Sequence, residues 1–221
     1  MRWLWRRAPR TLDSVSAYAL WAAHYPPDAH NPLMHAEQDA MRALLPDLRG
    51  AVVLDAASGT GRYGLLAREM GARTVWAIDN SPHMLHANPL GQRALARLEA
   101  LPLAAGAVDV VLCGMAIGHT PHLTAALAEM ARVLRPGGAA LISDFHPFLH
   151  FSGAKRTFQA GRRAYAVEHH PHLYSAWHTA GLACGLRLEA LREPSLTAGG
   201  APVVLVLRWV RAETGDGART G

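Results

Sequence analysis

Three glycines and two acids in this chain are spaced to hold a nucleotide-bearing cofactor. Val52-Val53-Leu54 forms a short apolar run that ends in Asp55, enters the turn Ala56-Ala57-Ser58-Gly59-Thr60-Gly61, and passes Gly64 in a helix-favouring stretch. Glycine at 59 and 61 lets a backbone turn tightly and approach a ligand where a Cβ would collide. The helix that begins near Gly61 aims free N–H groups back into the crevice. Asp79 closes the next apolar run, Val75-Trp76-Ala77-Ile78, where a carboxylate is able to accept two hydrogen bonds from a ribose diol. Gly59, Gly61 and Gly64 fit the dinucleotide fingerprint G-x-G-x-x-G, and Asp79 follows at the spacing of a ribose acid. Asp55 separates two readings. A carboxylate at the end of the first strand repels a pyrophosphate and suits a cofactor with a cationic amino-acid end, such as S-adenosylmethionine (SAM).

The block from Asp55 to Gly61 resembles the first motif of the class I SAM-dependent methyltransferases, D-x-G-x-G-x-G, with Ala57 in place of its first glycine. An ordinary strand-end backbone at Ala57 accommodates that exchange. Asp79-Asn80-Ser81-Pro82-His83-Met84-Leu85 resembles the family's second motif, with Ser81 capping a helix and Pro82 in its first turn. Leu98-Glu99-Ala100-Leu101-Pro102, followed by Asp109-Val110-Val111, resembles the third. Arg97 stands where the family commonly carries an acid near the adenine amine, which leaves Leu98 and Glu99, partly through backbone, as the nearest contacts. Leu134-Arg135-Pro136-Gly137-Gly138 resembles the turn before the family's fifth strand and acts as a helix stop. The resemblance implies a methyltransferase of the type that acts on small molecules. It places Asp55, Ala57, Gly59, Gly61, Asp79, Asn80, Leu98, Glu99 and Cys113 on SAM. The rival readings are an NAD(P)-dependent oxidoreductase built on the same glycine turn, and a SAM-binding protein without catalysis.

Histidine is abundant, at 13 residues. His119 follows the fourth strand and His146 the fifth, so two imidazoles could flank an acceptor and take its proton near neutral pH. His146 is the first candidate base, with Tyr174 and His170 behind it; for His119, shaping the pocket is the leading expectation. Tyr18, Trp21 and Tyr25 share a helical face and, with His119 and His146, are expected to line the acceptor site. His169, His170 and His172 invite a metal reading, but no carboxylate or cysteine completes a shell at close spacing, and no metal is expected.

These groups need elements to position them. Strands are expected at 52–55, 74–79, 94–98, 108–113, 139–144, 186–191 and 203–210. Helices fit 14–24, 33–45, 61–70, 82–87, 123–134 and 172–184. That alternation implies a Rossmann-like, seven-stranded, mostly parallel α/β sheet with helices on both faces. The last two strands are joined without a helix, which favours an antiparallel final strand. Residues 155–159 and 164–168 alternate around Gly161 and read as a β-hairpin inserted after the fifth strand. The whole chain of 221 residues is expected to be one domain, with a core at 51–210, an N-terminal helical lid at 1–50, a cap over the acceptor at 145–171, and a tail at 212–221.

Composition excludes other classes. Half the residues are hydrophobic, which argues against disorder, and no apolar run reaches the length of a membrane span. The net charge is +5, yet Lys155 is the only lysine and the arginines are scattered, so no nucleic-acid stripe is expected. Cys113 and Cys184 read as reduced thiols in apolar surroundings. The expectation is a cytoplasmic monomer or homodimer acting on a small molecule, without membrane or nucleic-acid partners.

Overall fold

A computed structural model describes residues 9–213. The basic, aromatic start at 1–8 and most of the expected tail lie outside the described residues. The central sheet has seven strands in the order β4-β3-β2-β5-β6-β10-β9. They are β2 (Val52–Ala56), β3 (Thr74–Asp79), β4 (Gln92–Leu95), β5 (Val108–Gly114), β6 (Leu134–Phe145), β9 (Leu186–Arg192) and β10 (Val204–Arg211). β2 pairs in parallel with β3 and β5, whereas β10 runs antiparallel to both β6 and β9. The reversed last strand follows from its helix-free link to β9, as the sequence implied.

Period-two alternation in the strands sorts the core onto two faces. Leu54, Val111, Ile142, Leu205 and Leu207 point to one side, where helices α5 (Leu123–Val133) and α7 (Tyr174–Ala183) supply Leu127, Met130 and Trp177. Val53, Leu112, Leu141, Val204 and Val206 point to the other, against α2 (Pro32–Leu44) and α3 (Arg62–Glu69). Buried on both faces, such strands read as the continuous apolar runs seen in the sequence. Asp109 ties the strand starts together, accepting from the Val52 amide at 2.7 Å and from Arg135 at 2.5 Å.

Three elements depart from expectation. The N-terminal helices do not act together: the stripe Met34, Met41 and Leu44 packs α2 on the sheet, and only α1 (Ser14–Trp21) reaches over the strand ends. Arg10–Leu12, within the span expected to be a helical lid, is a strand, β1, parallel to β8 (Arg163–Val167); with β7 (Thr157–Ala160) these form a second, three-stranded sheet. The hairpin read around Gly161 is this β7–β8 pair, preceded by a short helix α6 (Pro147–Phe151). The third strand is shifted, covering Gln92–Leu95 rather than 94–98, because Arg97 and Ala100 bridge to each other and pull the chain into a turn.

Candidate active site

The C-terminal ends of β2, β3 and β5 open into a crevice with an empty volume of about 940 Å³, its open mouth included. Ligands in open α/β folds bind at this end of the sheet. Asp55, Ala57, Gly59, Asp79, Asn80, Leu98 and Glu99 all line it.

The glycine turn is held from three directions. Asp55 is buried, and its Oδ2 accepts the Gly64 amide at 2.7 Å, satisfying one of the free N–H groups at the start of α3. A Cβ on Gly64 would stand 2.9 Å from that oxygen and 2.4 Å from Leu90 Cδ1, so this glycine serves helix–strand approach. Asp79 Oδ2 accepts the Gly59 amide at 2.8 Å and Oδ1 accepts the Ser81 amide at 2.7 Å. Each oxygen retains a lone pair for a ligand. From behind, Asn88 donates Nδ2 to Gly59 O at 3.0 Å and to Ser58 Oγ at 3.2 Å.

Two glycine-turn expectations need correction. Ala57 is not on ordinary strand-end backbone: its φ is 55°, in the left-handed region where the family keeps glycine. Gly61, with φ 99°, is absent from the crevice lining; a Cβ there would meet Asn88 Oδ1 at 2.9 Å. Gly61 therefore shapes the helix entry, whereas at Gly59 a Cβ would meet only open space.

Desolvation governs the acids. Burial raises the Asp55 pKa from 3.8 to about 7, with Arg62 and the Gly64 amide pulling against it, and burial also raises Asp79. For Glu99 burial acts upward too, but the Thr120 hydroxyl and Arg97 outweigh it and hold the carboxyl below its usual range.

The other end of the crevice is aromatic and cationic. Tyr18 and Tyr25 line it from α1 and the turn after it, joined by Met115, His119 and Arg156. Trp21, expected on the same face, instead stacks on Phe158 of the hairpin at 4.7 Å and 10°. Its ring clamps α1 to β7 and does not border the crevice. His119 Nδ1 lies 3.1 Å from the Glu168 carbonyl and must donate to it. Nε2 is then the acceptor, met by Arg156 Nη1 at 2.9 Å and Tyr18 Oη at 3.1 Å. Burial first, then Arg156, presses the His119 pKa well below the usual imidazole value, so the ring is neutral. Burial likewise pushes the Tyr18 phenol up.

The three residues expected as bases lie outside the crevice lining. His146 caps α6: its Nδ1 accepts the Phe148 amide at 3.3 Å and its Nε2 faces Glu193 Oε1 at 3.1 Å, so both nitrogens are engaged. Proline at 147 starts a helix there and turns the histidine into its cap. Tyr174 is exposed on the first turn of α7, stacked on His178. His170 sits 3.9 Å from Glu168, and its own amide bonds the Gly118 carbonyl at 2.7 Å. Cys113, expected on the cofactor, is fully buried in the core, and Gly114 takes the place in the lining. Among the described residues no group of three or more His, Cys, Asp or Glu side chains is arranged for a metal.

Three residues that matter here were not singled out from the sequence. Glu37 of α2 is fully buried and accepts from Arg62 Nη1 and Tyr63 Oη, both at 2.6 Å, and from Ser143 Oγ. Its signal was available, since an acid at 37 interrupts the apolar spacing 34, 41, 44 of a helix stripe. Asn88 and Arg156 carry no such signal, because their partners are distant in sequence.

These residues fit SAM. A buried carboxylate whose one hydrogen-bond partner is a backbone amide suits a cationic ligand end. Asp79 offers acceptors at the strand end, and Gly59 leaves space for a ligand to come close. A family model described as "Methyltransferase domain" matches residues 54–142. A malonyl-[acyl-carrier protein] O-methyltransferase of Enterobacter lignolyticus is 38% identical over 56% of this chain and 50% of its own length. The enzyme of the same name from Dechloromonas aromatica is 35% identical over 80% of this chain and 68% of its own. A SAM-dependent methyltransferase of known structure from Mesorhizobium loti superposes with a TM-score of 0.68 at 22% identity, covering 80% of this chain and 98% of that one. The chain thus spans about half the length of several curated relatives it matches. With the ordered motifs, the reversed β10 and the Dechloromonas match in agreement, the chain belongs to the class I SAM-dependent methyltransferases.

Proposed function

We propose that this chain binds SAM along the glycine turn and transfers its methyl group to an oxygen of a small acceptor held between α1 and the hairpin. The observation that carries this is the polarity of the crevice: Asp55 and Asp79 at the strand ends, Tyr18, Tyr25, His119 and Arg156 at the lid. When bound, SAM supplies an electrophilic methyl carbon on a sulfonium. Asp79 would accept from the ribose, Asp55 would face the amino-acid end, and Asn80, Leu98 and Glu99 would border the adenine. Tyr18 and Tyr25 would close over the acceptor and exclude water, since an in-line displacement gains chiefly from alignment in a dry site. The names of the relatives support oxygen as the accepting atom.

An NAD(P) oxidoreductase is the weaker reading, because the buried Asp55 carboxylate stands at the strand end where a pyrophosphate would lie, and because the last strand, β10, is antiparallel. Calorimetric titration separates the two: SAM and S-adenosylhomocysteine should bind, and NAD(P) should give no saturable heat. Binding of NAD(P) in preference to SAM would refute the proposal. A chain that binds SAM but never labels an acceptor from methyl-labelled SAM would be a binding protein only.

A further inference from the structure

Three guanidinium groups line the crevice, and two of them are neutralised within the protein. Arg62 pairs with Glu37 at 2.6 Å and Arg97 with Glu99 at 3.3 Å. Arg156 differs. Its hydrogen bonds to Met115 O at 2.6 Å and His119 Nε2 at 2.9 Å both leave from Nη1. Among the described residues it forms no ion pair, and Nε and Nη2 make no hydrogen bond. Its plane is propped by Phe145, 5.1 Å from the ring centre, and by Tyr18 at 5.8 Å. The same side chain borders the crevice and both cavities beside it, so it stands where an acceptor enters.

We propose that Arg156 anchors a carboxylate of the acceptor, and that the methyl group is transferred to an oxygen of that carboxylate. This rests on the methyl-transfer reading above and names its substrate class. A guanidinium with a free N–H edge is matched to a carboxylate in a two-point geometry. The anion offers about four acceptor sites, so oxygen lone pairs remain for attack when two are bound. The lid also argues against an acceptor that must first lose a proton. His119 has both nitrogens occupied and is neutral, and the expected base His146 lies elsewhere. A carboxylate is ionised at neutral pH without help. Its oxygen forms the new O–C bond, the C–S bond breaks with its electron pair retained by sulfur, and no proton moves. The products are a methyl ester and S-adenosylhomocysteine.

The test combines binding and labelling. The protein saturated with S-adenosylhomocysteine is titrated with short- and medium-chain mono- and dicarboxylic acids and with the matching primary alcohols. Wild type, Arg156→Ala, Arg156→Gln and Arg156→Lys are compared, with circular dichroism to confirm folding. The proposal expects acids but not alcohols to bind wild type. It expects acid affinity to fall by about tenfold to a hundredfold in the alanine and glutamine variants, as for loss of charged hydrogen bonds. Lysine should restore part of it, and S-adenosylhomocysteine affinity should be unchanged throughout. With methyl-labelled SAM at saturating concentration, product label should be released as methanol by mild alkali, and the rate at saturation should be flat with pH above the acid's own pKa. Acids binding the alanine variant as tightly as wild type, alcohols accepting an alkali-stable methyl group, or no acid binding to the loaded protein would each overturn it. Failure of wild type to bind S-adenosylhomocysteine at all would instead strike the methyl-transfer reading on which it rests.

Discussion

Replacing Glu37 by glutamine should destabilise this protein more than any other single-atom exchange near the crevice. Glu37 is fully buried, and its two oxygens take Arg62, Tyr63 and Ser143, joining α2 to α3 and β6. Glutamine keeps the shape but removes the charge opposite Arg62, whose side chain is only 10% exposed. Breaking a buried pair by removing one partner costs about 3–5 kcal/mol. Because Arg62 borders the crevice and retains some access to water, the lower end, about 3 kcal/mol, applies here. For a domain of this size that corresponds to a fall of roughly 6–12 °C in Tm. Urea unfolding followed by circular dichroism measures it. Replacing both partners, as in Glu37→Gln with Arg62→Met, should recover much of the loss, since the stranded cation is then gone. A single-variant loss below about 1 kcal/mol would refute the claim that this pair locks α2 beneath the site.

The Asp55 carboxyl, at about pKa 7 in the folded chain against an ordinary 3.8, binds its proton more tightly when folded. The stability it contributes is therefore highest below about pH 4, falls as pH rises through 4 to 7, and is level above. Unfolding free energies of wild type and Asp55→Asn at pH 5 and pH 8 should diverge by a few kcal/mol, with wild type losing the more; parallel behaviour would contradict the burial argument. Ala57→Gly relieves a left-handed alanine at a cost of about 1–2 kcal/mol, less roughly 0.4–1 kcal/mol for the looser unfolded chain. The variant should melt slightly higher than wild type, and a lower Tm would show that the strain argument fails.

The seven-stranded sheet was legible because its central strands are buried on both faces and leave continuous apolar runs, broken by turns at regular spacing, whereas the exposed edge strand β4 was read out of place. The glycine-turn half of the crevice was legible for a related reason: Asp55 and Asp79 accept backbone amides, and Gly59 and Gly64 meet a positive φ and a close helix–strand approach, local demands that favour those residue types. The acceptor half was not. Arg156, His119 and Tyr18 meet across 37 and 101 residues of sequence, through contacts that no local pattern encodes. His146 misled because its place at a strand end was readable, whereas the helix that engages its ring was not. Trp21 shares helical spacing with Tyr18 and Tyr25, yet the hairpin supplies Phe158 as a partner and draws it aside.

The central claim is that the crevice at the ends of β2 and β3 holds SAM, with Asp79 on its ribose. Calorimetric titration of S-adenosylhomocysteine into wild type and Asp79→Asn tests it most directly. Asparagine keeps one oxygen for the Gly59 amide and loses the charge, so affinity should fall by at least tenfold, about 1.4 kcal/mol, in a protein that remains folded. An unchanged dissociation constant in the folded variant would place the cofactor elsewhere on the sheet.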